Sequence, residues 1–215
     1  MPRIIVSVGG GHTTEIHRTV LHIQKALLEA FVDTAVVIAD LDSTFKSDGE
    51  RKYSDLDYDF EQILERVKGA DVLQEWEVVL VGGRYALFDS RINKLANLKV
   101  FLDSDGDSRL IDLIQRRQLQ LQGAEKLAVL IQEYLSGLRP EMHKYIEPTR
   151  AHADLIIPSH SETVGADILV DSIVKIVEES KGGGVAMHTP ARLFPQLDFQ
   201  AESLDLEKEQ YYELS

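Results

Sequence analysis

Three glycines, a histidine and two threonines, Gly9-Gly10-Gly11-His12-Thr13-Thr14, close an apolar run, Arg3-Ile4-Ile5-Val6-Ser7-Val8. An apolar strand that breaks into glycines just before a helical pattern is how a chain builds a phosphate site. Bare backbone N–H groups and a helix N-terminus then converge on the anion. The phosphate-loop signature G-x-x-x-x-G-K-S/T needs a glycine five positions after the first and then a lysine. Counted from Gly9, those places hold Thr14 and Glu15. Aligned on Gly11 instead, His12 takes the lysine's place and the loop is about three residues short. The stretch keeps the context of an anion site and lacks its cation.

The elements that must position this turn follow from hydrophobic spacing. Ile4 to Val8 reads as a buried strand, and Thr14 to Phe31 as a helix with Ile16, Val20, Ile23, Leu27 and Leu28 at helical intervals. Further buried strands are expected at Thr34 to Asp40, Trp76 to Val81, Lys99 to Leu102 and Asp154 to Ile157. Helices are expected at Phe60 to Val67, Asp107 to Leu121, Glu125 to Leu138, around Met142 to Ala153, and at Asp167 to Glu179. Leu41 to Tyr58 is polar, acidic and without a period, which predicts a surface loop. Continuous apolar strands alternating with helices predict an α/β fold with a five-stranded parallel sheet covered on both faces. Any ligand then lies at the carboxyl ends of the strands.

Composition narrows the function classes. With 215 residues, one domain is expected over residues 1–185, followed by an acidic tail at 186–215. From Gln196 onward the tail carries six acids and one lysine; it reads as a solvated tail or as a segment that docks on a partner or on the chain's own site. Lys and Arg total 23 against 36 Asp and Glu, a net charge of −13, so nucleic acid is not an expected partner. No apolar run is long enough to span a bilayer and no signal core opens the chain, so no membrane is expected. The chain has no cysteine, which removes disulfides and thiolate metal sites and fits a cytoplasmic, intracellular setting.

Four longer segments carry a resemblance. They are Val78-Val79-Leu80-Val81-Gly82-Gly83, Phe88-Asp89-Ser90-Arg91-Ile92, Leu98 through Leu110 with its D-x-D-x-D-x-R-L pattern, and Pro148 through Pro158. Together with the opening strand and glycines they resemble the uridine kinase branch of the phosphoribulokinase/uridine kinase family, over roughly residues 3 to 180. The resemblance implies a P-loop NTPase fold of the nucleoside-kinase type. It also implies transfer of the γ-phosphoryl of ATP to the 5′-hydroxyl of uridine or cytidine, with Mg²⁺, a reaction that rests on positioning and charge stabilisation.

Residue by residue, the family's phosphate-handling parts are altered. The loop lysine corresponds to His12, largely neutral at pH 7. The acidic residue of the family's E-G motif corresponds to Gly82, and the E-R-G-R lid to Leu119 through Glu125, which has no arginine. Arg116 matches a family arginine. On the acceptor side, Asp42-Ser43-Thr44-Phe45 resembles a displaced D-S-F-Y motif, so Asp42 is the candidate general base, against a cap or loop role. The F-D-H-P segment is reduced to Leu56-Asp57-Tyr58-Asp59, and the glutamine that follows the lid is replaced near Glu133. Asp57, Glu133 and Arg116 are therefore the candidate cleft residues.

Other motifs lead less far. Gly9 and Gly11 begin a dinucleotide fingerprint that fails at Thr14. His12, His17 and His22 step about 140° apart on a helix and form no metal face. Asp103, Asp105 and Asp107 lack the glycine and glutamate places of a calcium loop, and no metal site is expected. Gly182 to Gly184 follow a helix and read as its C-terminal cap. Arg109, Arg116 and Arg117 read either as surface charges or as remnants of a phosphate site. Residues 40–77 hold twelve acids against five bases, an unfavourable setting for a nucleotide polyanion. The expectation is a uridine kinase-like protein without efficient transfer, binding neither ATP nor Mg²⁺ tightly, and serving a nucleoside or a protein partner. The alternative is a slow or altered uridine/cytidine kinase. Self-association stays open.

Overall fold

A computed structural model describes residues 3–13, 15–46, 50–69, 76–118, 124–158 and 162–181. Residues 119–123 of the expected lid (119–125), Thr14, the expected cap at 182–184 and the acidic tail lie outside them. Five parallel strands, β1 (Arg3–Gly10), β2 (Thr34–Asp40), β3 (Trp76–Gly82), β4 (Leu98–Asp103) and β5 (Leu155–Pro158), form one sheet in the order β2-β3-β1-β4-β5. The central position of β1 explains its sequence. Each face of the strand is buried, so every residue from Ile4 to Gly10 is buried and no polar alternation is left.

Alternate strand residues feed two cores. On one face Ile4, Val6 and Val8 meet Ile16, Val20, Ile23 and Leu27 of α1 (Glu15–Ala30), beside Leu169, Ile173 and Val177 of the long C-terminal helix, Glu162–Lys181. On the other face Ile5, Val79, Val81 and Phe101 meet Ile63, Leu64 and Val67 of α2 (Phe60–Lys68), Ile92 of α3 (Ser90–Leu95), and Met142 and Ile146. A third, smaller cluster joins Leu113 of α4 (Gly106–Gln118) to Leu130 of α5 (Ala124–Glu133) and to Tyr134 and Leu138 just beyond it.

Three expectations need correction. Gly9 and Gly10 are not turn residues; they pair in register with Phe101 and Leu102 of β4, so the strand runs two residues further than its apolar run. A Cβ at Gly10 would lie 2.7 Å from the Leu102 carbonyl oxygen, so only glycine lets β1 and β4 stay paired there. The region around Met142 to Ala153 is not an α-helix. After the single turn α6 (Arg139–Glu141) it winds wide over Met142–Ile146 and then tight over Glu147–His152, where Pro148 removes an amide donor. The polar stretch from Leu41 to Tyr58 is a surface loop only in part. Its described part contains two short 3-10 turns, Asp42–Thr44 and Asp55–Asp57, and buries Leu41, Ser54, Asp57 and Tyr58.

Candidate functional site

The site is assembled at the carboxyl ends of β1, β2 and β3, where the topology places ligands. Because β1 is paired through Gly10 and α1 is helical from Glu15, at most four positions connect them. The turn is tight, with the Thr13 amide donating to the Gly11 carbonyl at 2.9 Å. It carries His12 inward, to 5% exposure.

His12 is enclosed by charge. The Arg84 Nη1 stands 3.2 Å from its Nδ1, and the Glu141 carboxylate 3.4 Å from its Nε2. A guanidinium only donates, so Nδ1 is the acceptor and the imidazole proton sits on Nε2. Burial pushes the His12 pKa well below the ordinary histidine value, and the guanidinium charges of Arg84, Arg51, Arg109 and Arg116 push it in the same direction. His12 is therefore neutral at pH 7. Arg116 of α4 donates through Nη2 to the His12 carbonyl at 3.0 Å and pairs with Asp112 one helical turn away.

Asp42 opens the 3-10 turn after β2, its amide donating to the Asp40 carboxylate at 3.0 Å. Its Oδ1 accepts from Arg84 twice, from the backbone N–H at 3.3 Å and from Nε at 3.2 Å. Arg84 follows the Gly82-Gly83 end of β3 and lies over the Tyr58 ring, 5.6 Å from its centroid. Desolvation opposes its charge, but Asp42, Tyr58 and Glu141 outweigh that, and its pKa is raised.

Glu141 is the buried anion of the cluster. It accepts from the Tyr85 hydroxyl at 3.0 Å and from Arg51 Nη2 at 3.2 Å. Burial raises its pKa against the attraction of Arg51 and the Tyr85 hydrogen bond. Arg51 also reaches Glu133 at 3.5 Å and packs over the Tyr53 ring, 4.6 Å from its centroid.

Of the residues singled out in the sequence, His12, Thr13, Asp42 and Arg116 line one cavity of about 280 Å³, joined there by Arg51, Arg84, Leu113 and Leu138. Glu133 is joined to it through Arg51. Asp57 serves elsewhere: its two carboxylate oxygens accept the Lys52 amide, both at 3.1 Å, and Oδ2 accepts the Ser54 amide at 3.4 Å, so it holds the loop that carries Arg51. Gly9 and Gly10 belong to the sheet. Arg84, Arg51, Tyr85 and Glu141 were not foreseen. Arg84 carried a usable signal, since it directly follows a strand's glycine end at the ligand side of a parallel sheet. Glu141 had none, lying 129 residues from His12 in a stretch with no motif.

The magnesium ion and ATP that the resemblance implies can be tested against these residues. A Cβ at Gly82 would lie 2.9 Å from Val20 Cγ2, so α1 occupies the room a metal-holding carboxylate would need. Among the described residues no group of three His, Asp or Glu could hold a metal ion. A passage of at most four positions is shorter than the loop that the phosphate-binding signature spans. The residues present do not fit Mg-ATP in the family manner.

Residues 22–165 match the phosphoribulokinase/uridine kinase family. The chain belongs to that family. It is 43% identical to the Saccharomyces cerevisiae protein named "Putative uridine kinase DAS2", across 99% of this chain and 96% of that one. It is 30% identical to uridine kinase of Streptococcus pneumoniae, across 80% of this chain and 92% of that one. Among solved structures it is similar to a Silicibacter sp. TM1040 protein described as a "putative fructose transport system kinase". That match has a TM-score of 0.55 at 16% identity and covers 73% of this chain and 90% of that one, so it bears on the fold alone. The family fold is the P-loop kinase fold, and no helix among the described residues is long and apolar enough to cross a membrane.

Proposed function

We propose that this chain is a uridine kinase-like protein without efficient phosphoryl transfer, a pseudokinase that binds rather than converts. The observation that carries the reading is the passage from β1 to α1: at most four positions long, with His12 buried and neutral where the family places a lysine. The crowding of Gly82 by Val20 supports it. Removing one preorganised charge donor costs about 10²–10³ in rate, and active kinases turn over at about 1–100 per second. Lysine and metal carboxylate together therefore account for a drop below practical turnover.

A second reading, a slow kinase using Asp42 as base with Arg116 and His12 near the phosphoryl group, is favoured by the shared cavity of those three residues. Incubation of the purified protein with uridine or cytidine, ATP and Mg²⁺ separates the two. Turnover near one per second refutes the pseudokinase reading, and slow turnover abolished by Asp42→Asn supports the kinase. The protein's partners on this reading are a nucleoside or another protein, inside the cell.

A further inference from the structure

The arginines that neutralise the cluster line its cavity with guanidinium nitrogens that the cluster does not use. Arg84 spends its backbone N–H and Nε on Asp42 and its Nη1 on His12, and its Nη2 has no partner among the described residues. Arg116 spends Nη2 on the His12 carbonyl and Nε on Asp112, and its Nη1 likewise has none among the described residues. The Nε of Arg51 is buried and without a hydrogen-bond partner, and so is His12 Nε2, although Glu141 stands nearby. All four side chains line the same cavity, on a chain whose net charge is −13. The acids nearest to them are already engaged: Asp42 by Arg84, Glu141 by Arg51 and Tyr85.

A second hollow of about 210 Å³ adjoins this one, sharing Thr13, Asp42 and Arg116; Ile16, Val20 and Ile38 give it an apolar side, and His17 and the Asp40 carboxylate, which accepts the Asp42 amide, a polar one. An anion held between Arg84 and Arg116 thus has space beside it for an uncharged, partly apolar body. The combination is selective. A neutral nucleoside leaves the donor edges unmet, and the missing loop and metal carboxylate withhold what a triphosphate needs.

We propose that the paired hollows bind a small organic phosphate monoester without metal, its phosphate between Arg84 and Arg116 and its body over Ile16 and Val20, with a nucleoside 5′-monophosphate as the matching class. This rests on the binding reading above and names its ligand. Charge-assisted hydrogen bonds to phosphate are strong because a guanidinium presents paired N–H groups to paired oxygens.

Calorimetry in metal-free buffer, with uridine 5′-monophosphate, inorganic phosphate and uridine as probes, tests the proposal. The monophosphate is expected to bind at least about tenfold more tightly than uridine, with inorganic phosphate competing. Arg116→Gln, on a partly exposed side chain, is expected to erase that preference while thermal melting stays near that of the parent. Arg84→Lys, which keeps the charge beside Asp42, is expected to weaken the monophosphate about tenfold. Equal affinity for uridine and its monophosphate, or full affinity in Arg116→Gln, overturns the proposal. Its failure is distinct from that of the pseudokinase reading. Turnover with ATP refutes that reading even if metal-free monophosphate binding persists, and absence of both leaves that reading standing and removes the ligand.

Discussion

Replacing His12 by asparagine should change how stability depends on pH. Asparagine keeps an acceptor for Arg84 and removes the titrating ring. In the native chain burial and the surrounding arginines hold His12 neutral, its pKa well below the ordinary value, whereas in the unfolded chain the imidazole titrates near about 6.5. Below that pH the unfolded state binds a proton that the folded state refuses, so stability falls as the pH falls. The slope approaches about 1.4 kcal/mol per pH unit for one proton. Between about pH 7.5 and 5 the loss amounts to at most about 2 kcal/mol. Glu141 works in the opposite sense. Its raised pKa makes the folded state retain a proton above the ordinary carboxylate range, so its contribution falls as pH rises through that window. Both chains retain Glu141, so the difference between them isolates the histidine to first order. Urea unfolding of parent and His12→Asn at several pH values measures that difference. The parent should lose more stability on acidification than the variant, and parallel curves would refute the assignment of a buried neutral imidazole.

Two further substitutions probe the rebuilt site. Gly82→Glu, which restores the family's carboxylate, should destabilise by about 1–3 kcal/mol through contact with Val20, without producing transfer; thermal melting and the uridine kinase assay read the two effects. Asp57→Ala should cost about 1–2 kcal/mol, because the Lys52 and Ser54 amides lose their acceptor. It should also speed proteolysis within residues 50–58, while unchanged cleavage there would leave Asp57 without its structural role.

The fold was largely legible because burial on two faces leaves a direct trace in sequence. Uninterrupted runs such as Val78 to Val81 admit no solvent face, and the helices between them leave little but a parallel sheet. Boundaries were less legible where a residue's state depends on its neighbour in space. Gly9 and Gly10 look like turn residues until β4 is seen to pair with them, and the Leu41 to Tyr58 stretch looks solvated until Tyr58 is found packed against Tyr85. Asp57 was a candidate through the family resemblance, yet its side chain is occupied by its own loop.

The sequence alone determined the sheet, the family likeness, and the absence of a lysine at position 12, a carboxylate at position 82 and arginines from 119 to 125. It could not determine the electrostatic character of the site. Counted along the chain, residues 40–77 are strongly acidic and predict a field hostile to anions. In three dimensions Arg51 comes from that segment, Arg84 from the end of β3, and Arg109 and Arg116 from α4, and all four bear on His12. Charge interactions fall off with distance in space and with screening by water, neither of which is written in chain order. Only the tertiary structure decides that an acidic chain carries arginine edges at the ends of its central strands.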